Sequence, residues 1–227
     1  MAVSVPISVS TSAGSLAGDL TVGDAPRGIV VFVHGSGSSR RSPRNRTVAA
    51  VLHAHRLATL QLDLLTEAES TLDERTGELR FDIPLLTQRV IDAVAWIKAD
   101  STGRLPIGLF GASTGAAAAL ASAARLPEVR AVVSRGGRPD LVEPAVLRSV
   151  RAATLFVVGG ADEQVLAFNR RASAELSAPH RIEIVAGATH LFAEPGALDE
   201  VARLSADWFG RHLPDRTAVV GDGGQVG

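Results

Sequence analysis

The chain has 227 residues, 46% of them hydrophobic and 21% charged, with a formal net charge of −1. That is enough apolar material for the core of one α/β domain, and too little charge imbalance to draw in nucleic acid or an anionic membrane surface. The absence of cysteine excludes disulfides, thiolate zinc sites and a cysteine nucleophile together.

In chain order, residues 3–9 and 16–22 read as a hairpin turned at SAGS, forming an antiparallel edge. The opening MAVSVPISVSTSAG has neither a basic segment nor a continuous apolar run. No later stretch reaches the roughly 18 apolar residues of a membrane span. A cytoplasmic protein with no membrane partner is therefore expected.

Six short apolar runs follow, at 28–34 (GIVVFVH), 58–65, 106–111, 131–134, 154–159 and 181–185. Most are hydrophobic throughout, which suits strands buried on both faces, and helix-length segments separate them. A mostly parallel sheet with helices on both faces is the expected solution. The run at 181–185 alternates, as a strand nearer an edge does. Between the fourth and fifth runs there is room for one short helix and no lid domain. The clearest crossover helix is 84–98, where Leu86, Val90, Ala93, Val94 and Ile97 recur at three- and four-residue spacing. Residues 1–213 are read as a single domain and 214–227, rich in turn formers, as a disordered tail.

The chemistry is concentrated at the ends of these runs. Gly111-Ala112-Ser113-Thr114-Gly115 matches G-x-S-x-G where a strand passes into a helix, and that corner lifts a serine hydroxyl clear of the sheet. A serine attacks only when a positioned base takes its proton. Asp162, after VVGGA, and His190, after AGAT, each fall just beyond a later strand, at the sheet edge where α/β proteins bind ligands. Asp162 is also placed to cap a helix beginning near Glu163, and Glu163 is the rival carboxylate. Histidines also stand at 34, 53, 55, 180 and 212, where a surface or hydrogen-bonded role explains them, and His190 is favoured as base because its loop position agrees with those of Ser113 and Asp162. After the first parallel strand come HGSGSS and then Arg40, Arg41, Arg44 and Arg46. A solvated loop explains the arginines simply, yet cations at the start of a helix near Ser42-Pro43 oppose its dipole. With Arg135 they are candidates to receive an anionic substrate group.

The four motifs HGSGSS, GASTG, VVGGADEQV and GATHLFAEPGAL resemble those of the α/β-hydrolase superfamily, in the same order. More narrowly they are similar to the dienelactone-hydrolase-like group of small lidless members, over residues 26–213. The resemblance implies Ser113 as nucleophile, His190 as base then acid, and Asp162 as the group that orients the imidazole. It also implies an oxyanion hole from the amides of Ser36 and Thr114. Dienelactone hydrolases proper use cysteine, so a serine here points to carboxylic ester hydrolysis. The substrate is a small-molecule ester, and no metal or organic cofactor is needed. Acyl transfer, perhydrolysis and a non-catalytic binding role remain open alternatives, and the oligomeric state is not specified.

Overall fold

The computed structural model describes residues 2–213. The tail expected at 214–227 lies outside the described residues. The chain begins with the hairpin β1 (Val3–Thr11) and β2 (Gly14–Val22) and continues into β3 (Gly28–Val33). Then come α1 (Pro43–Ala54), β4 (Leu57–Leu62), α2 (Glu67–Thr76), α3 (Ile83–Ala99), β5 (Ile107–Ala112) and α4 (Thr114–Arg125). The remainder is β6 (Val129–Arg135), α5 (Pro144–Arg148), β7 (Ala153–Gly159), α6 (Glu163–Ser173), β8 (His180–Val185) and α7 (Ala197–His212).

All eight strands join one sheet in the order β1-β2-β4-β3-β5-β6-β7-β8. The hairpin pairs antiparallel to itself and to β4, whereas every pairing from β4 to β8 is parallel. The central strands β3, β4, β5 and β7 are buried along their whole length. Successive β3 residues face opposite cores: Ile29, Val31 and Val33 join α3, α4 and α6 on one side, and Val30 and Phe32 join α1 and α7 on the other. Ala116 to Ala119 are fully buried, so α4 seats its alanine run directly on the sheet. The segment between β6 and β7 holds a 3-10 turn and the five-residue α5, and no lid lies over the sheet among the described residues. No helix among the described residues is long and apolar enough to cross a membrane.

After β3 the chain moves to β4 on one side and later to β5 on the other. That reversal opens a crevice at the carboxyl ends of β3 and β5, where an open α/β sheet receives ligands.

Candidate active site

Ser113 follows β5 and has φ 51° and ψ −122°, a left-handed region that a non-glycine residue occupies only when its surroundings impose it. Three bonds do so. The Ser113 amide donates to the Arg135 carbonyl, and the Ser113 carbonyl accepts from the amides of Ala116 and Arg138, each at 3.1 Å.

The glycines of the motif allow this close packing. A Cβ on Gly111 would lie 2.4 Å from the Ala116 Cα, and one on Gly115 would lie 2.3 Å from the Val33 carbonyl oxygen. Both obstacles are backbone, so neither can move aside cheaply. Gly115→Ala is expected to destabilise the fold by about 3 kcal/mol or more, measured by denaturant unfolding. A loss under about 1 kcal/mol would show that the corner is not as tightly packed as described.

Asp162 occupies the N-cap position of α6 but makes no side-chain cap bond. Its Oδ2 instead accepts a 2.7 Å hydrogen bond from His190 Nδ1. With the proton on Nδ1, Nε2 carries the lone pair and faces the Ser113 hydroxyl at 3.3 Å. That distance is long, as expected before a substrate tightens the site. Beyond His190, Thr189 Oγ1 donates to Glu194 Oε1 at 2.6 Å, pinning the loop that carries the imidazole. Glu163 is exposed at the start of α6. Among the described residues, Asp162 is therefore the carboxylate that meets the ring.

The loop after β3 brings Ser36 to the same place. Its amide donates to Thr114 Oγ1 at 2.9 Å. Thr114 opens α4, so its own amide is among those a helix start leaves without an intrahelical partner. His34, to which the sequence assigned no role, organises this loop. Its Nε2 accepts from the Leu64 amide at 3.2 Å, and its Nδ1 donates to the Gly35 carbonyl at 2.9 Å. Burial lowers the His34 pKa, which keeps the ring neutral in this double role. The carbonyl it holds belongs to the same peptide unit as the Ser36 amide.

The arginine cluster divides. Arg40 is committed to carboxylates: its amide donates to Asp63 Oδ1 at 2.7 Å, its guanidinium pairs with Asp63 Oδ2, and Nε lies 3.4 Å from Asp19. Arg41 and Arg46 are exposed, and none of these three lines the pocket at the nucleophile. Of the five candidate arginines, Arg40 thus serves structure and Arg41 and Arg46 match the solvated-loop explanation. Arg44 and Arg135 do line that pocket, about 200 Å³ in volume, together with Ser113 and His190. A second pocket of about 370 Å³ adjoins the His34–Ser38 loop and is walled by Asp63, Asp73 and Glu74.

The family model described as the dienelactone hydrolase family matches residues 66–212. The chain belongs to the dienelactone hydrolase family. A dienelactone hydrolase from Anabaena variabilis is 50% identical and superposes with a TM-score of 0.91, covering 93% of this chain and 99% of that one. An esterase domain from a Rhodothermus marinus protein shares the fold, with a TM-score of 0.74 at 17% identity over 93% of this chain and 99% of its own. A Mycobacterium tuberculosis protein provisionally named a phosphoribosyl transferase is 55% identical over 200 residues. That match takes in 87% of this chain and 44% of the relative, so the chain spans less than half of that protein's length. Within the dienelactone hydrolase family match lie the elbow, Asp162 and His190, whereas the Ser36 loop precedes it.

Proposed function

We propose that this family member is a serine hydrolase that cleaves small carboxylic esters through an acyl-enzyme. The observation that carries the reading is one imidazole placed between Asp162 Oδ2 and the hydroxyl of a serine held at a strained strand-to-helix corner. In this reading Ser113 Oγ bonds to the acyl carbonyl carbon as its proton passes to His190 Nε2. Asp162 stabilises the imidazolium that forms. The developing oxyanion accepts from the Thr114 amide, and from the Ser36 amide in place of the Thr114 hydroxyl that amide now meets. Collapse breaks the ester C–O bond, and the alcohol leaves with the His190 proton. Water then repeats the sequence and releases the acid. The transferase name of the M. tuberculosis relative is not carried over, because more than half of that protein lies outside the match.

The pocket is small, its wall is about as apolar as polar, and no lid rises over it among the described residues; its size sets the acyl preference. A buried CH₂ contributes about 0.8 kcal/mol, and a pocket of about 200 Å³ leaves an acyl chain longer than a few carbons outside it. With p-nitrophenyl esters from acetyl to decanoyl, kcat/KM is expected to peak at acetyl to butyryl and fall about tenfold or more by decanoyl. A rate that climbs steadily through decanoyl would contradict an acyl site of that size.

A further inference from the structure

The pocket beside Ser113 contains polar atoms that the triad does not use. Arg135 ends β6 and is only 7% exposed, yet its Nε and Nη1 are buried with no hydrogen-bond partner among the described residues. Arg44 Nε is in the same condition, and so is Asn45 Oδ1. All three residues line one pocket with Ser113 and His190, and that pocket has no carboxylate in its wall. Phe192, whose ring centroid is 5.9 Å from the Arg135 guanidinium carbon, supports one side of the cation without neutralising it.

Burial first, and the Arg44 charge second, depress the Arg135 pKa to about 10. The group is still cationic at neutral pH, and among the described residues no carboxylate lines the pocket that holds the two cations. Helix α1 adds to the same potential. It begins at Pro43, carries no acidic residue in its first turn, and so points an uncompensated positive end toward Arg44. Buried guanidiniums are ordinarily matched by hydrogen-bonding anions. The match here has to come from outside the chain's described residues.

We propose that Arg44 and Arg135 form an anion subsite for a phosphate monoester carried by the substrate a few bonds from the scissile ester. Two unneutralised cations call for close to two negative charges. A phosphate monoester carries about −1.5 to −2 at pH 7, whereas a single carboxylate leaves one cation uncompensated. Arg44 and Arg135 both line the pocket, and two guanidinium forks offer more N–H groups than the two oxygens of one carboxylate can accept, a better match to the terminal oxygens of a phosphate. The phosphate is recognised and not transferred. The bond that breaks is the carboxylic ester, so the inference rests on Ser113 as nucleophile and names the substrate class of that site.

The test compares 2-acetoxyethyl phosphate, 3-acetoxypropanoate and ethyl acetate, and separately measures binding of inorganic phosphate by calorimetry. For wild type, kcat/KM is expected to be about 100-fold higher for the phosphate than for the neutral ester, and clearly above the carboxylate. The advantage should shrink as salt rises. Arg44→Gln and Arg135→Gln should each cut it about tenfold or more, and Arg41→Gln, exposed outside the pocket, should keep it. If the buried Arg135 variant does not fold, Arg44→Gln and the phosphate-binding isotherm decide the question. Equal rates for the phosphate and neutral esters overturn the subsite while leaving ester hydrolysis intact. A preference for the carboxylate overturns the phosphate assignment. If none of the three esters is cleaved, the hydrolase reading fails, and absence of phosphate binding would remove the subsite as well.

Discussion

Ser113→Ala is expected to lower kcat for a short-chain ester by about 10⁴-fold or more while leaving the melting temperature within a few degrees of wild type. The magnitude follows from the role assigned to the hydroxyl: without it there is no acyl-enzyme, and what persists is binding and oxyanion stabilisation acting on water. The small effect on folding follows from the site. The corner is held by the Ser113 amide and carbonyl, which alanine retains, and the hydroxyl's hydrogen-bond partner is His190 Nε2. Steady-state kinetics on p-nitrophenyl acetate, paired with a thermal melt, checks both halves. A variant that keeps more than about a tenth of wild-type kcat would remove Ser113 from the chemistry.

Asp162→Asn is expected to cost about 10⁴-fold in kcat with the fold retained. The physical cause is tautomer choice. Asp162 Oδ2 accepts from Nδ1, which leaves the Nε2 lone pair free for the serine proton. An asparagine that turns its NH₂ toward Nδ1 moves the imidazole proton to Nε2, and a ring protonated there cannot act as base toward Ser113. Glu163→Gln should change kcat by no more than about twofold, because that side chain is exposed and the ring's Nδ1 is bonded to Asp162. Measuring both variants on one substrate separates the neighbouring carboxylates. If Glu163→Gln proves the damaged one, the orienting acid has been misassigned.

Much of this arrangement is legible in the sequence because it depends on local rules. Fully apolar runs give parallel strands, and the observed bounds differ from the expected ones by a few residues at most, as at 131–134 against Val129–Arg135. The helix expected over 84–98 spans Ile83–Ala99, and the serine corner follows from two glycines and the strand-to-helix change. Helix α2 was not legible. Asp73 is its one buried residue, so it presents no apolar stripe, and its start depends on a reciprocal cap between Thr66 and Glu69.

The arginine loop marks a different limit. Whether Arg40 reaches substrate or structure depends on Asp19 in β2 and Asp63 after β4, partners that only the folded sheet brings near. The choice between Asp162 and Glu163 likewise turned on side-chain direction. So did the bond between the Ser36 amide and the Thr114 hydroxyl, which joins loops from two different strands.

Covalent labelling reports whether Ser113 is the nucleophile. A fluorophosphonate probe reacts with a serine only when a neighbouring base makes its hydroxyl nucleophilic, and peptide mass spectrometry then locates the adduct. One stoichiometric adduct is expected on Ser113, abolished in Ser113→Ala and greatly slowed in Asp162→Asn. An unmodified Ser113 in folded wild-type protein, or equal labelling of wild type and Ser113→Ala, would contradict it.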